Sequence, residues 1–125
     1  MKAKKGREGE GMIHNGGQVT YENKGDTLLI RVRGEIDHHI AATVRKSIDD
    51  RILAERPERV LLELSAVDFM DSSGLGLIMG RFALVKQYCG TLAVLDPSPA
   101  VIKIMKLAGM ERMVSVLRTK SKIEG

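Results

Sequence analysis

Between Leu28 and Leu64 the chain changes its period twice. Leu28-Leu29-Ile30-Arg31-Val32-Arg33 is a short, mostly apolar run, and Ile36, Ile40, Val44, Ile48 and Ile52 then recur at every fourth residue. After Pro57 the chain returns to a compact apolar run, Arg59-Val60-Leu61-Leu62-Glu63-Leu64. A four-residue repeat places its side chains on one face of a helix, whereas compact runs of Val, Ile and Leu suit buried strands. Strand, helix and strand in close succession confine the chain to an α/β layered architecture, with helices covering a sheet.

The flanking segments extend the pattern. Val19-Thr20-Tyr21, a turn at Asn23-Lys24-Gly25-Asp26 and the run from Leu28 predict a hairpin, with Gly34 closing its second strand and Asp37 capping the striped helix. Ser65 to Asp71 reads as a loop. Ser73 to Tyr88 reads as a helix that is apolar almost all round, closed by Gly90. Thr91 to Leu95 reads as a strand, and Ser98-Pro99 as a cap and first helical residue. Ala100 to Ala108 then reads as a helix stopped by Gly109, and Met113 to Leu117 as an edge strand. The order is two strands, then alternating helix and strand, within one domain spanning residues 18–118. Residues 1–17, with five glycines and six charges, read as a disordered extension, and residues 119–125 as a tail.

Charge placement narrows the function. The formal charge is +4, yet Gln18 to Leu117 holds thirteen bases and thirteen acids, so the surplus lies in the two tails. A folded span without net charge lacks the concentrated basic surface that phosphate backbones require, and two Phe, two Tyr and no Trp leave no stacking platform. Direct nucleic-acid binding is not expected. The single Cys89 forbids an internal disulfide, and Met1 to Gly17 lacks the apolar centre of a signal peptide, which together point to the cytoplasm. No apolar run approaches the ~20 residues of a membrane span.

The segment with most chemical character is Phe69-Met70-Asp71-Ser72-Ser73-Gly74-Leu75-Gly76, a junction into a helix where small hydroxyl residues and glycines surround free backbone N–H groups. Such a place tolerates a phosphate, but from the residues alone a plain N-cap is the better explanation. Its glycines match neither dinucleotide nor Walker spacing, and they suit close approach of helix to sheet. His38-His39 beside Asp37 does not suggest a metal site, because adjacent helical residues diverge and no further ligand cluster is present. Glu35 and Asp37 suit a turn and a cap, their charges facing a partner's base. Ser72 lacks a nucleophile elbow, and Cys89 falls at the wrong end of its helix for an activated thiolate. No catalytic residue and no cofactor are expected.

Gly34-Glu35-Ile36-Asp37-His38-His39 and Phe69-Met70-Asp71-Ser72-Ser73-Gly74-Leu75-Gly76 closely resemble the two signature stretches of STAS-domain anti-sigma factor antagonists. Arg81-Phe82 and Ser98-Pro99-Ala100-Val101 extend the resemblance, which runs from about Val19 to Leu117, and the His-His pair is most similar to the sporulation members. The glycine-rich extension departs from the family, and the C-terminal helix is expected to be shortened or lost. The resemblance implies a mixed sheet of four to five strands packed with helices, and no enzyme. It implies a monomer that, unphosphorylated, binds an anti-sigma factor serine kinase and frees the sporulation sigma factor F. Phosphorylation at Ser72 would switch it off, and a serine phosphatase would restore it. It further implies that Gly34, Glu35, Asp37 and His38 meet the partner, together with Asp71, Ser72, Ser73, Gly74 and Leu75. Two other readings stay open: a STAS antagonist of a general stress-response sigma factor, and a STAS module that binds a small ligand or nucleotide.

Overall fold

The structure, a computed structural model, describes residues 11–14 and 17–119. Strands β1 (Gly11–His14), β2 (Gly17–Lys24) and β3 (Thr27–Ile36) come first, followed by helix α1 (His38–Glu55) and strand β4 (Arg59–Met70). Helix α2 (Ser72–Lys86), strand β5 (Thr91–Leu95), helix α3 (Pro99–Leu107), a 3-10 turn (Met110–Arg112) and strand β6 (Ser115–Leu117) complete the order. All six strands form one mixed sheet in sequence order, antiparallel from β1 to β3 and parallel from β3 to β6. The five strands anticipated from sequence are joined by a sixth. Gly11–His14, within the stretch expected to be disordered, pairs with β2, while the remainder of the tails lies outside the described residues.

Helices cover one face of this sheet. Leu28, Ile30 and Val32 of β3, Val60, Leu62 and Leu64 of β4, and Leu92 and Val94 of β5 share a single core with the α1 stripe Ile40, Val44, Ile48 and Ile52. Leu77, Ile78 and Val85 of α2 and Val101 and Met105 of α3 complete it. From Ile40 onward the four-residue repeat has the role expected of it, while Ile36 belongs to the end of β3, and each fully buried aliphatic side chain contributes ~1.5–3 kcal/mol. Among the described residues, a single charged side chain is buried here. Arg81 of α2, only 6% exposed, lies against Asp49 of α1 with Nε 2.8 Å from Oδ1, and its Nη1 donates to the Leu77 carbonyl at 3.2 Å. The pair ties α1 to α2.

Two sequence expectations are corrected along β3 and β4. Gly34 does not close β3, which runs on to Ile36, and Ser65 to Met70 is strand rather than loop. The cause is a pair of bulges in β4. Arg31 and Arg33 pair with Glu63 and Ala66, and Gly34 and Glu35 pair with Val67 and Phe69, so β4 holds one extra residue at each step. A bulge reverses which residue faces inward, and the buried positions accordingly fall at Leu64, Val67 and Met70. A three-residue spacing carries no strand signal. Gly34 has φ 92° beside the second bulge, a backbone conformation that favours glycine.

Another correction concerns the end of α2. Cys89, not Gly90, adopts the left-handed conformation, at φ 70°, and the Cys89 and Gly90 N–H groups donate to the Lys86 and Val85 carbonyls at 3.1 and 2.8 Å. Gly90 is needed for a different reason. A Cβ there would stand 3.2 Å from the Pro57 carbonyl oxygen and 3.3 Å from that of Glu58.

Candidate functional site

The parallel strands β3 and β4 finish level with each other. Ile36 pairs with Met70, and the Asp71 N–H donates to the Ile36 carbonyl at 3.3 Å. An aspartate follows each strand and caps a helix from extended backbone, Asp37 at φ −102°, ψ −171° and Asp71 at φ −104°, ψ −169°. The two sequence-predicted stretches thus become neighbouring helix starts at one end of the sheet.

Their first turns are wound differently. Asp37 Oδ1 accepts from the Ile40 N–H at 3.0 Å, and its carbonyl accepts from Ala41 at 2.8 Å, the full α-helical span. That N–H holds the carboxyl of the half-buried Asp37 below the usual carboxylate range. Asp71 Oδ1 accepts from the Ser73 N–H at 2.8 Å, and its carbonyl accepts from Gly74 at 2.9 Å, a span one residue shorter. Ser72, the first residue of α2, is exposed, Ser73 is half-buried, and Gly74 is buried. A Cβ on Gly74 would overlap Met70 Cγ and lie 2.7 Å from its Sδ, so this glycine lets α2 begin directly against the end of β4. The expectation of close helix–sheet approach holds there. It fails at Gly76 and Gly80, where an added Cβ would meet nothing within 4 Å.

The other expected residues gather nearby. Gly34 is half-buried and Glu35 exposed at the end of β3, and Leu75 is half-buried, resting against the core. His38 and His39 are both exposed at the start of α1, their rings 5.8 Å apart. Sequence reasoning expects one member of this adjacent pair to be exposed and the other half-buried, and the structure exposes both. It also passed over Phe69, which is 48% exposed and pairs with Glu35 across the second bulge. Reading Ser65 to Asp71 as a loop hid it, because as the strand residue before inward Met70 it faces outward.

A groove of about 290 Å³ runs between the two helices from this end, lined by His38, Ala41, Ala42 and Arg45 of α1 and by Ser73, Gly76 and Leu77 of α2. Arg45 and Gly76 were not anticipated in it, because their meeting depends on how α1 and α2 pack. Among the described residues, no group of three His, Cys, Asp or Glu side chains is placed to hold a metal ion. The chemical resources of the site are an exposed hydroxyl at a helix start, two cap carboxylates, two imidazoles and an aromatic ring. Such groups have the chemistry to meet a partner's surface, and the hydroxyl has the chemistry to accept a covalent group.

Comparison with known proteins bears on that arrangement. The STAS domain family matches residues 18–124. An anti-sigma F factor antagonist of Paenibacillus polymyxa is 36% identical over 99 residues, covering 79% of this chain and 85% of that protein. An anti-sigma-B factor antagonist of Bacillus subtilis is 30% identical over 95 residues, covering 76% and 84%. Among solved structures, the anti-sigma factor antagonist SpoIIAA in its unphosphorylated form superposes with a TM-score of 0.71 at 28% identity, over 85% of this chain and 91% of that one. SpoIIAA in its phosphorylated form superposes with a TM-score of 0.65 at 27% identity, over 85% and 95%.

Proposed function

This chain belongs to the STAS domain family, and we propose that it works as a partner switch governed by a phosphate on Ser72. It is an anti-sigma factor antagonist of the STAS type, a regulatory protein rather than an enzyme. Unphosphorylated, it binds an anti-sigma factor that is also a serine kinase and thereby frees the sporulation sigma factor F. Higher identity to the anti-sigma F antagonists of Paenibacillus polymyxa and Lysinibacillus sphaericus, 36% and 34%, than to the sigma-B antagonist at 30% favours that assignment. The cognate kinase switches the protein off, a serine phosphatase restores it, and the protein acts as a cytoplasmic monomer. Among the described residues no helix is long and apolar enough to cross a membrane.

The single observation that carries this reading is the position of Ser72. Its exposed side chain opens α2 immediately after the Asp71 cap, beside the first-turn amides that favour an anion. Phosphorylation adds about −1.5 to −2 charges there. The backbone cap is already made by Asp71, so the fold accommodates the phosphate without rebuilding the turn. In support, both SpoIIAA forms share this architecture. What changes is the surface: a bulky dianion stands among Asp71, Asp37, Leu75 and Phe69, and the partner must desolvate it or withdraw. A loss of ~1.4 kcal/mol is already tenfold in affinity.

Intact-protein mass after incubation with ATP and the anti-sigma factor kinase of the same genome tests the reading. One addition of about 80 Da, a single phosphoryl group, is expected on the parent and none on Ser72→Ala. An active kinase that leaves the parent unmodified defeats it.

A further inference from the structure

Gly76 is a glycine that the protein's own fold does not require. Unlike Gly74, it lies exposed within α2, and a side chain added there would meet nothing within 4 Å. Glycine is unfavourable inside a helix relative to alanine, and of the two α2 glycines with open space around them, Gly76 and Gly80, it is Gly76 that lines the groove between the helices.

That space is the groove between α1 and α2. Its walls are Ala41, Ala42, Gly76 and Leu77, a small and mostly apolar set, and its volume is several times the ~30 Å³ that a water molecule occupies in the liquid. His38 and Ser73 stand at the end next to Asp37 and Ser72, so the groove continues the surface on which the phosphate switch acts. Arg45 supplies a cation to its lining. Among the described residues no carboxylate forms an ion pair with Arg45, and Asp49, one turn along α1, is engaged by Arg81.

We propose that this groove receives an aliphatic side chain of the anti-sigma factor, flanked on that partner by a carboxylate that pairs with Arg45. The inference rests on the function proposed above and names the chemistry that the partner must present. Small walls select a narrow apolar side chain, and the unneutralised guanidinium selects an acid beside it. The arrangement also explains how one phosphate acts beyond its immediate contacts. A dianion on Ser72 stands at the mouth of the groove and repels the carboxylate that Arg45 draws in.

Affinity for the purified anti-sigma factor, measured by titration calorimetry alongside thermal melting, tests this on the parent, Gly76→Leu, Gly76→Ala and Arg45→Glu. Gly76→Leu fills the groove and is expected to weaken binding at least tenfold while melting at or above the parent temperature. Arg45→Glu is expected to weaken binding at least tenfold at low salt, and by less as salt rises. Parental affinity in both Gly76→Leu and Arg45→Glu overturns the groove assignment and leaves the antagonist reading standing. A parent that binds no anti-sigma factor overturns that reading and the groove with it. Should Gly76→Leu melt early, Arg45→Glu and Gly76→Ala decide, and parental affinity in both overturns the proposal. A parent dimer by sedimentation that Gly76→Leu converts to monomer also overturns it, by giving the groove to a second copy.

Discussion

The helix starts after β3 and after β4 are built alike and equipped differently. Each follows the end of a core strand, and each is capped by an aspartate in nearly identical backbone geometry. Behind Asp37 come two exposed imidazoles on a fully wound α turn, whereas behind Asp71 come a hydroxyl and a glycine on a turn one residue tighter. Under the proposed switch, the first start would present a fixed charge and the second a modifiable one. One scaffold, used twice on neighbouring strands, would then place a constant contact beside a variable contact, which is what a switchable interface requires.

The sharpest test of that contrast is the exchange of hydroxyl for mimic at position 72. Ser72→Ala is expected to retain the anti-sigma factor persistently and Ser72→Asp to bind at least tenfold more weakly, read as dissociation constants by calorimetry. Equal affinities would erase the distinction between the two starts. Next in size is the glycine that only the second start needs. Gly74→Ala is expected to cost about 1–3 kcal/mol by overpacking against Met70, measured by urea denaturation. A double-mutant cycle with Met70→Ala should recover part of that loss as coupling between the two positions.

Removing the second cap tests the shared part of the design. Asp71→Ala should lower stability by about 0.5–2 kcal/mol, and Asp71→Asn should restore most of the loss, because an amide oxygen can still accept the Ser73 N–H. The smallest effects belong to Asp37. The Ile40 N–H favours its ionised form, so its pKa in the folded protein lies below the ordinary carboxylate value of ~3.9. A depressed folded value stabilises above the unfolded one, and that stabilisation disappears as pH falls through the folded value. Melting curves of the parent and Asp37→Asn should therefore differ near pH 6 and converge in strong acid. Asp37→Lys should slow association with the partner more than it speeds dissociation, with the difference shrinking as salt is added.

What the sequence made legible follows from where local chemistry and packing agree. The α1 stripe, the Asp37 cap and the Ser98 cap were readable because each is a local pattern with one physical solution. The Ser98 hydroxyl accepts from the Val101 N–H at 3.2 Å as expected, and it also donates to the Val67 carbonyl at 2.7 Å, a bond across the fold that no local pattern reports. The full length of β4 was hidden because its bulges interrupt alternation, and β1 was hidden because composition spoke only for disorder. Within the candidate site, the two stretches were legible as motifs. Their adjacency and the groove carrying Arg45 and Gly76 belong to tertiary packing.

The bulges of β4 act as phase correctors at this end of the molecule. From Leu28 to Ile36 and from Val60 to Met70 the two strands begin and finish with inward residues, yet β4 takes two more residues to do so. Each bulge sets two residues of β4 against one of β3 and absorbs its extra residue locally. Val67 thus faces inward opposite Gly34 after the first bulge, and Met70 opposite Ile36 after the second. Loss of the extra residue at either bulge is therefore expected to straighten β4 and leave Met70, Asp71 and Ser72 on their present side, whereas loss of one residue from the regular stretch Val60 to Leu62 would put the strand out of phase with β3. Single-residue length variation is expected to concentrate at the bulges, a constraint that operates on insertions and deletions and not on the identity of any side chain.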